Sequence, residues 1–289
     1  MPDAPSAVPP VFVGGTGRSG TTIAGEMIGA GAQYALVPIE LRFHVDAGGL
    51  CDLARRKVSI DAFEEAMHTR WYKRPRRPNG PRGVHVILDR EGLDAAFDRL
   101  RSAHSADPWA ATGAFLDEVI DPFRRRRKAS AWVEMTPPNA KNMHALARMF
   151  PTARFLHMVR DGRDVASSVA RRAWGPNDVA TALTWWGNQM MAIHRSTRNT
   201  DPARVHAVRL ESLVGPNGAI VYDELVATLG LEHDEAMRAF LGTKMSVERA
   251  RPGSWRKGLE ESEQDRVEGL YQAQLQRLEA AGAQIPPII

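Results

Sequence analysis

Val11-Phe12-Val13 runs into Gly14-Gly15-Thr16-Gly17-Arg18-Ser19-Gly20-Thr21-Thr22, and this stretch decides the fold. An apolar run, a glycine-rich turn and a helical pattern after it predict a strand, a phosphate-cradling loop and a helix. Backbone N–H groups of such a loop converge on a phosphate at the positive end of the helix, and glycines let the backbone come close. The pattern G-x-x-x-x-G-K-[ST] fits Gly15 to Gly20 and Thr22, but Thr21 holds the lysine position. The cation stands inside the loop instead, at Arg18. In a nucleoside triphosphate site that lysine contacts the β and γ phosphates and the next hydroxyl holds magnesium. Without it ATP is a poor candidate, and a nucleotide whose 5′ group needs no metal is a better one.

Outward from the loop, strand-like runs at 11–13, 34–39, 131–133, 155–159 and 205–208 alternate with helical patterns. That alternation predicts a P-loop-type three-layer α/β/α fold with a mostly parallel central sheet, the loop lying at the carboxyl end of the first strand where ligands bind. With 289 residues, 43% hydrophobic and 25% charged, the chain suits one large domain over 1–289, and no linker divides it. Residues 71–83 are rich in proline and basic side chains and are expected to form an irregular loop, either over the binding pocket or as a disordered surface insertion. Residues 260–281 read as one amphipathic helix, and Trp185-Trp186 as core packing on another, with contact to a bound substrate the alternative.

A second charged segment follows the fourth run: Arg160-Asp161-Gly162-Arg163-Asp164-Val165-Ala166-Ser167-Ser168. Arg160 ends the strand and Ser168 falls two turns along the next helix. An arginine fork can hold two phosphate oxygens, and the serine adds a short neutral donor. A third segment, Arg251-Pro252-Gly253-Ser254-Trp255-Arg256-Lys257-Gly258, is a basic, glycine-containing loop.

In this order the three segments resemble those of the sulfotransferases that use 3′-phosphoadenosine 5′-phosphosulfate, PAPS. The resemblance implies that Gly17, Arg18, Ser19, Gly20, Thr21 and Thr22 hold the 5′-phosphosulfate. It implies that Arg160 and Ser168 bind the 3′-phosphate and that Trp255, Arg256 and Lys257 fold over the nucleotide. Glu134-Met135-Thr136-Pro137 resembles the family's E-K-T-P segment and Arg209 to Leu213 its Y-E-D-L segment. Leu210 and Ile23 replace aromatic residues common in cytosolic members, which places the chain nearer the bacterial, carbohydrate and tyrosylprotein branches. Met135 stands where relatives carry a lysine near the transferring group, so Lys141, Arg42 or the basic loop must supply that cation, or Glu134 has taken a substrate-binding role.

Sulfuryl transfer also needs a base. Glu40, just past the second run, resembles the glutamate that tyrosylprotein and glycosaminoglycan sulfotransferases use, with His44 the other candidate, sharing a face with it if the segment is helical. His85 is a lesser one, more readily read as a strand residue. The expected reaction moves a sulfuryl group from PAPS to a hydroxyl of a small-molecule, lipid or carbohydrate acceptor, leaving adenosine 3′,5′-bisphosphate, without a metal. A P-loop kinase is the opposing reading, and Met135 keeps a non-catalytic nucleotide-binding module open. A net charge of +4 is small for a nucleic-acid partner and is explained as well by steering of a polyanionic nucleotide. The run Arg124 to Lys128 reads as a solvated helix end. The single cysteine, Cys51, excludes an internal disulfide framework and suits a reducing cytoplasm, and no long apolar span or secretory leader is read in the chain.

Overall fold

Strand propensity in five apolar runs is realised as five parallel strands: β1 Val11–Gly15, β2 Tyr34–Leu36, β5 Ala131–Glu134, β6 Arg154–Val159 and β7 Val205–Arg209. The computed structural model describes residues 8–77 and 80–287. The order is β2-β5-β1-β6-β7, with Phe12 opposite Glu134 on one side and Phe155 on the other. β1 is central: from its carboxyl end the chain crosses to β2 at one edge, whereas from β6, its neighbour on the other side, the chain goes on to β7 at the opposite edge. The loop after β1 therefore sits at the topological switch point, where open α/β sheets bind ligands. β2 ends at Leu36, shorter than the 34–39 run, although the Val37 N–H still donates to the Val133 carbonyl at 2.9 Å; Pro38, which has no N–H, follows.

Alternation along the strands sends side chains into two apolar layers. Phe12, Trp132, Phe155 and Val159 enter one, with helices Arg90–Ala103, Pro108–Arg126, Gly162–Ala170, Val179–Thr197 and Glu261–Ala280. Val11, Val13, Val133, Leu156 and Met158 enter the other, against Thr21–Ile28 and Gly218–Leu229. The fold is thus helices on both faces of a parallel sheet. Among the described residues no helix is long and apolar enough to cross a membrane. Burial pushes the Cys51 thiol up to about 12, so it is a packing residue.

Two expectations are corrected here. Residues 71–83 are not an irregular loop: a widened helical turn, Met67–Tyr72, delivers the chain into an antiparallel hairpin of β3 Arg74–Arg77 and β4 Gly80–Arg82. Prolines are tolerated because a lone hairpin consists of edge strands. Pro78 and Asn79, at its tip, lie outside the described residues. His85 lies in a 3₁₀ turn, Val84–Val86, where Nδ1 meets the Tyr72 carbonyl at 2.8 Å, and not in a strand.

Candidate active site

The loop after β1 is shaped by backbone conformations open to few residues. Gly17 (φ 81°) and Gly20 (φ 92°) lie in the left-handed region, and so does Arg18 (φ 59°), a costly place for a side chain that suggests a functional constraint. The helix that follows has no side-chain cap at Gly20, so its first N–H groups stay free for an anion. Ser19 Oγ is buried with no hydrogen-bond partner. This donor set fits a phosphate or phosphosulfate.

The second segment closes on the first. Arg18 Nε donates to Ser168 Oγ at 3.0 Å, and Arg160 donates to the carbonyl of Arg18 at 3.1 Å and of Ala250 at 2.6 Å. Desolvation lowers the Arg18 pKa, and so do Arg172, Arg160 and Arg171, a concentration of positive charge that a bound anion would relieve. Arg18, Arg160 and Ser168 are thus brought together.

The basic loop sits differently from its expectation. Asp164, buried on the helix Gly162–Ala170, accepts from the N–H groups of Gly253 (2.8 Å) and Trp255 (2.9 Å) and from Ser254 Oγ (3.0 Å). Trp255 is buried, with Arg163 on its ring at 5.0 Å and Arg256 at 4.4 Å. Trp255, Arg256 and Lys257 therefore do not line the cavity in this structure: the loop is drawn down onto the helix, and the residues that reach the cavity are Ser246, Arg249 and Ala250 just before it.

That cavity, about 840 Å³, runs along the carboxyl rim of the sheet. At the β6–β7 end it is lined by Arg160, Leu210, Met245 and Arg249, in the middle by Gly17, Arg18, Gly20, Thr21, Thr22 and Lys141, and at the β2 end by Glu40, Arg42, Arg74 and Arg82. Part-buried Trp185 and exposed Trp174, 6.2 Å apart, add an aromatic wall, while Trp186 is fully in the core and Trp185 packs against that core from the cavity side. Arg74, Arg82, Arg249 and Trp174 were not singled out in the sequence. Asn79-Gly80 between two basic runs is the hairpin signal that could have found the first two; no local signal marks the others.

Glu40 reaches the cavity and pairs with Arg42 at 3.2 Å, and Arg42 is held in turn by Asp46 through two hydrogen bonds at 2.9 and 3.0 Å. His44 does not reach it, which corrects its reading as a base. The segment is a turn, reversed at Arg42 (φ 66°), so residues four apart do not share a face. His44 is fully buried, with Nε2 at 2.7 Å from Asn139 Oδ1 and 3.3 Å from Glu134. Glu134 is equally buried: desolvation alone would raise its pKa, but His44, Thr136 and Asn139 outweigh it and hold the carboxyl below its usual range. Glu134 also accepts from the Leu41 N–H at 3.2 Å, so it anchors the Glu40 segment, and it does not line the cavity. Met135 packs beneath the P-loop helix, where a Cβ on Gly25 would lie 2.9 Å from its own Cβ. It faces the apolar layer, whereas Lys141 and Arg42 face the cavity.

A model of the sulfotransferase family matches residues 9–235. The chain belongs to this family. Protein-tyrosine sulfotransferase 2 of Gallus gallus is 26% identical over 219 residues, which cover 72% of this chain and 47% of that protein, so the chain spans about half the length of that relative. Among solved structures, the sulfotransferase domain of the Synechococcus PCC 7002 olefin synthase is similar at TM-score 0.56 and 20% identity, over 99% of this chain and 98% of that one. A sulfotransferase of Mycobacterium avium is similar at TM-score 0.52 and 13% identity, over 96% and 78%. These two likenesses bear out the parallel three-layer fold.

Proposed function

We propose that this sulfotransferase moves a sulfuryl group from PAPS to a hydroxyl of a small-molecule, lipid or carbohydrate acceptor. The observation that carries the reading is the convergence of Arg18, Ser168 and Arg160, from segments 142 and 150 residues apart, beside a cavity that Arg18 and Arg160 line and whose other end presents Glu40. The Gly17 to Thr22 backbone and Arg18 hold the 5′-phosphosulfate, and Arg160 with Ser168 holds the 3′-phosphate. Glu40 takes the proton of the acceptor hydroxyl as its oxygen bonds to sulfur. The bond from sulfur to the 5′-phosphate oxygen breaks in line, and Arg18 answers the charge left on the phosphate. Lys141 or Arg42 supplies the cation that Met135 cannot. The kinase reading is disfavoured because Thr21, at the lysine position, has no charge to set against the β and γ phosphates.

Calorimetric titration tests the reading. Adenosine 3′,5′-bisphosphate is expected to bind tightly without metal and ATP with magnesium weakly; a preference for ATP and magnesium would replace the proposal with a kinase. Bisphosphate binding with no sulfated product from any acceptor would leave a nucleotide-binding module.

A further inference from the structure

The hairpin at the β2 end of the cavity carries a charge arrangement that the nucleotide does not explain. Arg74 on β3 and Arg82 on β4 are direct cross-strand partners, and both line the cavity. Like charges opposite one another destabilise a strand pair, and a two-stranded hairpin is marginal to begin with. Among the described residues Arg74 forms no ion pair; it donates to the main-chain carbonyl of Glu40 at 3.3 Å. Desolvation, then Arg82 and Arg42, lower its pKa, against opposing contributions from Glu40 and Asp46, so burial and neighbouring guanidiniums together crowd positive charge at Arg74. Arg42 is already answered by Asp46 and Glu40.

Position separates this group from the nucleotide site. Strand order places β2 three strand spacings from β6, roughly 14 Å, and Arg160 follows β6 while Glu40 follows β2. The hairpin arginines sit beside the proposed base, where the acceptor hydroxyl must lie. We infer that Arg74 and Arg82 form an anion subsite, and that the acceptor carries a carboxylate, sulfate or phosphate group beside the hydroxyl that is sulfated. Two guanidinium forks on neighbouring strands can chelate one such group, and binding it removes the repulsion between them. The inference rests on the sulfotransferase reading for the place of the acceptor.

The test uses the full chain saturated with adenosine 3′,5′-bisphosphate. It is titrated with matched hydroxyl compounds: 4-hydroxybenzoate, 4-hydroxyphenyl sulfate and 4-hydroxyphenyl phosphate against 4-hydroxybenzamide, and glucuronate, glucose 6-sulfate and glucose 6-phosphate against glucose. At least one charged member is expected to bind about tenfold or more tightly than its neutral partner, as for a charge-assisted hydrogen bond, and the tightest arm names the anion. In the double variant Arg74→Gln, Arg82→Gln the preference disappears, in Arg74→Lys, Arg82→Lys most of it survives, and bisphosphate affinity stays within about threefold in both. If the double glutamine variant fails to fold, Arg82→Gln alone carries the same test. A panel in which no charged member outbinds its neutral partner overturns the proposal. So does a loss of bisphosphate affinity as large as the loss of anion affinity, because the arginines would then serve the nucleotide. Should the wild type bind no bisphosphate, the nucleotide reading falls, and the same panel on the free protein still decides the hairpin.

Discussion

Glu40 and His44, four positions apart, end in opposite surroundings, and the division follows from one backbone angle at Arg42. Glu40 is part-exposed in the cavity beside a guanidinium, whereas His44 is sealed under Asn139 and Glu134. A base must reach the proton it removes, so geometry selects Glu40. Glu40→Gln is therefore expected to lower turnover with labelled PAPS by about 10²–10⁴-fold while bisphosphate affinity and melting temperature stay near wild type. His44→Gln should do the reverse, lowering stability through the buried Glu134 it leaves under-answered. If Glu40→Gln turned over normally, the base assignment would be wrong. Sequence placed Glu40 because it follows a strand. It could not place His44, whose partners Glu134 and Asn139 lie 90 and 95 residues away and declare themselves only on folding.

At the scale of elements, the buried carboxylate of Asp164 gathers three donors of the 253–255 loop and fixes a segment that has little apolar contact of its own apart from Trp255. Asp164→Ala should lower the unfolding free energy by about 1–3 kcal/mol, since two backbone N–H groups lose their acceptor. Amide exchange at Gly253 and Trp255 should quicken more than elsewhere, and unchanged exchange there would mean that the loop is held by other contacts. The five parallel strands, the P-loop and the C-terminal helix were legible beforehand because each is written in a local period or a short motif. The hairpin was not, because prolines and arginines mask strand periodicity and its register comes from a turn and from the cavity wall it joins. The basic loop was legible as a segment, yet its seating on Asp164 depends on a residue about 90 positions earlier in the chain.

At the scale of the whole molecule, sheet order turns five strand ends into a linear rim with the P-loop at its centre, the proposed 3′-phosphate site on the β6 side and the proposed base on the β2 side. A donor lying along such a rim presents its 3′-phosphate toward β6 and its 5′ group to β1, so the two phosphates should be separable by mutation. Arg160 sits on the first side only, but it also bridges the carbonyls of Arg18 and Ala250, joining the P-loop to the segment before the basic loop. Arg160→Ala should weaken adenosine 3′,5′-bisphosphate by about 10- to 100-fold more than adenosine 5′-phosphate, the scale of a lost charge-assisted bond. The two ligands share every group except the 3′-phosphate, so damage to the loop architecture would lower both alike. Equal losses would assign Arg160 to the bridge and send the search for the 3′-phosphate contact to Arg249 at the same end of the cavity.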